Sequence, residues 1–252
     1  MIDPRPSIFA KRFTPIRRVV AVGGGKGGVG KTTIATLIGL VAASAGNRVG
    51  LLDLDIHGGA AHLFLGIEPS FPEEEGGILP FEGAFGLRFM SATSFSGDRP
   101  LALRGAEVSD AIAELLAVTV WPELDLLLID LPPGLGEGLL DVLRFVPRAE
   151  IVAVTTASVP SVRVARRFLS AVGSAAPMLG VIANMVEEDP DPATQALAVA
   201  PVAELAERFS VPILASVPRD PALEAAIGRP EVLLKTGPAA ALAEVVNSLV
   251  GR

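Results

Sequence analysis

Eight consecutive residues constrain this chain more than any other stretch: Gly25-Lys26-Gly27-Gly28-Val29-Gly30-Lys31-Thr32. They fit the pattern G-x-x-x-x-G-K-[ST], and they lie between a buried strand predicted at 18–22 and a helical pattern at 32–45. Glycines in such a turn let backbone N–H groups converge on phosphate oxygens, and the helix N-terminus behind them adds its partial positive charge. The chain has only four lysines, and two of them fall in this loop. In that setting the spacing predicts that Lys31 reaches the β and γ phosphates of a nucleotide and that the Thr32 hydroxyl ligates Mg²⁺.

Strands and helices alternate through the rest of the sequence. Further strands are predicted at 48–54, 87–90, 124–129, 150–155, 178–184 and 212–217. Helices are predicted at 108–118, 138–145, 161–172, 201–209, 221–226 and 238–249. Residues 58–80 read as loop-rich, with the run Glu73-Glu74-Glu75 in a solvated loop. Strands that are continuous apolar runs are buried on both faces, which predicts an α/β fold with a single doubly wound, mostly parallel sheet and helices on both faces. At 252 residues, with no linker and no internal repeat, one such domain accounts for the chain. The expected division is a basic arm over 1–18 and the nucleotide-binding domain over 19–252.

A site for Mg²⁺ and phosphate needs carboxylates at the carboxyl ends of neighbouring strands. Asp53 and Asp55 end the strand at 48–54, and Asp130 follows the strand at 124–129. Asp53 reads as the more structural of the three. His57 and His62, five apart in a Gly/Ala-rich loop, do not share a helix face for a metal and read as solvated or packed. Glu187, Glu188 and Asp189 read as a solvated acidic loop rather than a hard-cation site.

Composition removes several classes of function. With no cysteine, this chain alone builds no disulfide, thiolate nucleophile, Cys-ligated zinc or Cys-held iron–sulfur cluster. Its 21 Lys+Arg stand against 28 Asp+Glu, a net charge of −7, which argues against a nucleic-acid binder. Arg163, Arg166 and Arg167 accordingly read as a solvated helix face. No apolar stretch reaches the roughly 18–20 residues of a membrane span. Neither a signal-peptide core nor a basic amphipathic tail is read at the ends, so the expectation is a cytoplasmic protein without stable membrane insertion.

The run from Lys26 to Thr33 resembles the deviant Walker A loop of the SIMIBI class of P-loop NTPases, home of MinD, ParA, nitrogenase iron protein and Mrp. That resemblance implies a nucleotide held by Gly25 through Thr33, with Lys26 reaching across a dimer to the partner's nucleotide as an arginine finger would. It also implies that Asp55 belongs to switch I and positions the attacking water. Asp130 would begin switch II, Asp130-Leu131-Pro132-Pro133-Gly134, and both aspartates would act on Mg²⁺ through water.

Within the class, the finer similarity is to the Mrp-type iron–sulfur carrier ATPases. It runs from about Val19 to Leu249 through Asp53-Leu54-Asp55-Ile56-His57-Gly58, Leu101 to Gly105, Trp121 to Asp125, Thr155-Thr156, Gly180 to Met185 and Val217 to Pro221. In that family the asparagine of the Asn-Met pair reads the adenine edge, here Asn184.

Three departures stand out. Leu135 and Glu137 replace the usual switch II Thr and Asp, Ala60 replaces a switch I Ser, and the family's C-x-x-C region is here Val186 to Pro192. The resemblance therefore implies a slow, partner-stimulated Mg·ATP switch that binds no cluster through its own residues. It would act as a homodimer, or as a heterodimer with a cysteine-bearing paralogue, on a client such as an iron–sulfur protein. The competing expectations are a MinD/ParA-like spatial-organising ATPase at membrane or chromosome, and a regulatory ATP-binding subunit.

Overall fold

The computed structural model describes residues 5–68, 70–96, 102–187 and 191–251. Its strands are β1 (Ile16–Gly23), β2 (Val49–Asp53), β3 (Phe81–Glu82), β4 (Arg88–Ser91), β5 (Leu124–Asp130), β6 (Glu150–Thr156), β7 (Met178–Val186) and β8 (Ile213–Pro218). They form one sheet in the order β3-β4-β2-β5-β1-β6-β7-β8. Every pairing is parallel except β3 with β4, an antiparallel edge. Around it run α1 (Arg5–Phe13), α2 (Lys31–Ser44), α3 (Ala61–Leu65), α4 (Thr93–Ser96), α5 (Ala106–Val118) and α6 (Glu137–Phe145). The later helices are α7 (Val159–Val172), α8 (Pro192–Arg208), α9 (Pro221–Ala226), α10 (Pro230–Leu233), α11 (Gly237–Ala241) and α12 (Ala243–Val250).

The two-residue period of a strand explains why helices cover both faces. Val19, Ala21, Leu127 and Ile129 project into a core shared with α1, α5, α6, α7 and α8. Their neighbours Val20, Val22, Leu126 and Leu128 project into a second core with α2 and the C-terminal helices. Both sides of β1 and β5 are therefore apolar, and the doubly wound sheet follows. No helix among the described residues is long and apolar enough to cross a membrane.

The N-terminal segment is more than an appended arm. Phe9 and Phe13, one helical turn apart on α1, are 2% and 4% exposed and belong to the first core. The Phe9 ring lies 4.7 Å from that of Phe145 on α6, and the Arg148 guanidinium donates to the carbonyls of Phe13 and Ile16. Strand β1 thus starts at Ile16, ahead of the expected boundary at 18.

Elsewhere α8 begins at Pro192 rather than at 201. Asp191 caps it by accepting from the N–H groups of Ala193 and Thr194, and Pro201 sits inside the helix. The span 58–80 is loop-rich but holds α3. The expected helix at 238–249 is broken at Leu242 into α11 and α12.

Candidate nucleotide-binding site

The Gly-rich loop leaves the carboxyl end of β1 and feeds α2 directly. Gly30 is the N-cap of α2 in a left-handed conformation, φ 85°, and no side chain caps the helix. The first N–H groups of α2 are therefore left for an external acceptor, the arrangement that binds anions. A Cβ at Gly30 would lie 2.2 Å from Nδ2 of Asn184, so both backbone angle and space demand glycine. Gly25 is held as tightly, because a Cβ there would meet the Val164 carbonyl oxygen at 2.4 Å.

Strand pairing brings the acids together. Asp53 on β2 and Asp130 on β5 are register partners, and Asp130 is also paired with Val22 at the end of β1. The Leu54 N–H donates to the Asp130 carbonyl at 3.0 Å, locking the loop after β2 to β5. Lys31, Asp53 and Asp130 are all buried. Burial lowers the pKa of Lys31, against the pull of Asp130, Asp55 and Asp53. Burial pushes the Asp53 carboxyl up to about 6 despite the N–H bonds it accepts. The Asp130 carboxyl is driven well above the usual range by burial and then by Asp53; the Thr32 hydroxyl and Lys31 oppose the shift.

Neither Asp130 carboxylate oxygen has a hydrogen bond of ordinary geometry. A buried, unsatisfied carboxylate beside a threonine at a helix N-terminus fits a divalent cation that keeps most of its water. Among the described residues no group of three or more His, Cys, Asp and Glu gathers to hold a metal. Such a cation would be held by the Thr32 hydroxyl and, through water, by Asp130.

The remaining expected residues fall around this centre. Lys26 is exposed on the loop, while Val29 is buried beneath it. Thr33 is half-buried on the first turn of α2. The segment that would be switch II begins at Asp130, and the Gly134 N–H reaches the Gly24 carbonyl at 3.4 Å. Leu135 is exposed there; the Glu137 side chain lies outside the described residues. Asp55 is half-buried, and its Oδ1 accepts from the N–H groups of His57 (3.3 Å) and Gly58 (3.0 Å), so it organises its own turn. Asn184 is buried, and its Nδ2 donates to the Val29 carbonyl at 2.8 Å, which braces the phosphate loop from β7.

Asp53 does more than the sequence reading assigned. Its Oδ1 accepts from Asp55 N–H at 3.0 Å and its Oδ2 from Ala61 N–H at 3.2 Å, so one carboxylate pins both ends of the segment that carries Asp55. His57 is exposed and His62 buried. Arg163, Arg166 and Arg167 are all exposed on α7. Glu188 and Asp189 lie outside the described residues, as does Leu101.

Comparison with known proteins points the same way as the geometry. The family described as ParA, NUBPL iron-transfer P-loop NTPase matches residues 15–252. An iron-sulfur cluster carrier protein of Mycobacterium tuberculosis is 35% identical over 244 residues, covering 93% of this chain and 64% of its own length. An iron-sulfur cluster carrier protein of Aquifex aeolicus is 30% identical over 253 residues, covering 97% and 69%. The chain thus spans about two-thirds of the length of the curated relatives it matches.

Among solved structures, the nucleotide-binding protein of Archaeoglobus fulgidus in complex with ADP is 26% identical. It superposes with a TM-score of 0.75 over 93% of this chain and 95% of that one. The septum site-determining protein MinD of Pyrococcus horikoshii, complexed with Mg-ADP, shares the fold at 18% identity, TM-score 0.64, over 93% and 96%. This chain therefore belongs to the ParA-type P-loop NTPase family of the NUBPL and Mrp iron–sulfur cluster carriers, and its 252 residues include no cysteine with which to hold a cluster.

Proposed function

We propose that this protein is a Mg²⁺-dependent ATP switch that binds and slowly hydrolyses ATP between two subunits and changes its grip on a client when it does. The observation that carries the reading is the uncapped N-terminus of α2. It lies behind a loop that presents buried Lys31 and exposed Lys26, with the unsatisfied Asp130 carboxylate beside it. Lys31 and the first N–H groups of α2 hold the β and γ phosphates. Mg²⁺, when bound at Thr32 and near Asp130, neutralises phosphate charge. Asp55 orients the attacking water once its turn, held by Asp53, has closed on the nucleotide.

Lys31 already supplies the cation on this loop, and the length and exposure of Lys26 suit the nucleotide of a second subunit. Asn184, whose Nδ2 is bonded to the Val29 carbonyl, would read an adenine edge with its remaining amide atoms. The likeness to iron-sulfur cluster carrier proteins supports a role in iron–sulfur protein maturation. Because this chain brings no thiolate, it would act either beside a cysteine-bearing paralogue or on a client that keeps the cluster. We take residues 19–252 as the working NTPase unit and the N-terminal segment as part of its support.

Two substitutions test the core of this reading. Lys31→Ala should abolish ATP binding measured by calorimetry. Lys26→Ala should leave binding within about threefold of wild type and lower the hydrolysis rate by about 10³-fold, as removal of a trans-acting finger does. Normal hydrolysis by Lys26→Ala would remove the second subunit from the mechanism.

A further inference from the structure

A groove of about 310 Å³ opens between α5 and the chain that follows β2. Ile56, Ile78 and Phe95 line one side, and Ala111, Leu115 and Val118 of α5 line the other. The nucleotide site uses none of these side chains. Phe95 is 39% exposed, and Phe71, 81% exposed, meets its ring edge-on with centroids 6.5 Å apart. An aromatic pair left in water at the mouth of an apolar groove is the kind of surface that marks an interaction site.

The rim of this groove is acidic. On α5, Glu107 and Glu114 are exposed and lie on the same helical stripe as Ala111 and Val118. Across the groove, Glu74 pairs with Ile78 in an antiparallel bridge, and opposed residues of such a pair project to one face. Glu73 and Glu75 flank it, exposed. Arg12 reaches the far end, where its Nε and Nη2 are taken up by the carbonyls of Ala117 (2.7 Å) and Gly76 (2.9 Å). Arg104 precedes α5 at the other end. Apolar floor and acidic walls together repel phosphate and complement a cation-flanked apolar stripe.

We propose that this groove receives an amphipathic helix with a basic polar face, supplied by a partner protein. Its apolar residues, spaced three and four apart, enter between α5 and Phe95, and its Lys and Arg side chains meet Glu74 on one wall and Glu107 and Glu114 on the other. Ile56 in the lining follows Asp55 directly, so a docked helix touches the segment that Asp53 pins. Occupancy of the groove and occupancy of the nucleotide site then bias one another. That coupling, unlike the docking itself, rests on the ATP-switch reading.

The test titrates the full chain into a fluorescent Lys/Leu amphipathic peptide of about 18 residues, five helical turns, with a Glu/Leu peptide as its counterpart. Anisotropy should show saturable binding of the basic peptide and none of the acidic one. The double variant Glu107→Lys/Glu114→Lys should bind about tenfold more weakly, and Glu204→Lys/Glu207→Lys, an exposed acidic pair on α8, should stay within about twofold. Hydrogen exchange should slow on α5 and at 71–78 when the peptide is bound.

Equal losses in the two double variants would reduce the effect to diffuse attraction and overturn the proposal. So would protection elsewhere, or a groove variant that alters the sedimentation of the chain alone, which would seat a second copy in the groove. Peptide affinity that is the same with and without ATP, in a chain shown by calorimetry to bind ATP, would overturn the coupling. Failure to bind ATP at all would instead sink the switch reading and leave the docking result standing.

Discussion

Asp53 and Asp130 face each other across paired strands, and burial governs how both behave. An aspartate in water loses its proton near pH 3.9; burial holds the Asp53 proton to about pH 6. Between about pH 4 and about pH 6 the folded chain therefore binds a proton that the unfolded chain has released. The Asp53 contribution to stability is thus most favourable below about pH 4, falls as pH rises to about 6, and is level above that. Asp53→Asn cannot titrate, so thermal melts of the nucleotide-free variant should lose this part of the slope. Asp130, raised chiefly by burial, adds its own decline in both proteins. An unchanged slope between about pH 4 and 6 would show that Asp53 is ionised throughout that range. Lys31, Thr32 and Asp130 were legible in the sequence because a local motif or a strand end carries them. The grip of Asp53 on Ala61 and the bond from Asn184 to Val29, 155 residues away, were not legible as geometry, since only the folded sheet brings those atoms together.

At the scale of elements, the strands with long apolar runs were readable because burial on both faces leaves them no polar alternation to hide in. Strand β3 has two residues, too few for any period, and α3 has five inside a Gly-rich stretch. Pro201 reads as a helix start, yet α8 runs through it, because Asp191 and Pro192 supply a better start nine residues earlier. Helix α1 was masked by its charges and its proline, which outweigh the single apolar stripe of Phe9 and Phe13 in composition but not in packing. That stripe has a measurable consequence. Phe9→Ala deletes a buried ring that packs at a tilt against Phe145, and it should destabilise the protein by about 3 kcal/mol in urea unfolding with the m-value unchanged. A loss below about 1 kcal/mol would mean that α1 is attached to the domain rather than built into its core.

For the molecule as a whole, parallel topology places every loop that follows β1, β2, β5, β6 and β7 at one end of the sheet. That end carries the phosphate loop with exposed Lys26, and it also carries apolar side chains that the monomer leaves in water. Leu135 lies in the loop after β5, Leu140 on α6 is 58% exposed, Val159 at the start of α7 is 62% exposed, and Met185 is the last residue but one of β7. A chain of net charge −7 keeps its copies apart at long range, so association through this end needs both a screened or bound charge and an apolar contact. On the proposed reading, ATP with Mg²⁺, reached by the second subunit's lysine, would supply the first, and the exposed leucine and valine would supply the second. Sedimentation velocity should accordingly show a monomer without nucleotide and a dimer with a non-hydrolysable ATP analogue. Leu140→Glu combined with Val159→Glu should remain monomeric with the analogue, bind it with unchanged affinity, and melt within a few degrees of wild type, because surface substitutions disturb no core. A dimer that survives both changes would form through some other face, and Lys26 would then have no second nucleotide within reach.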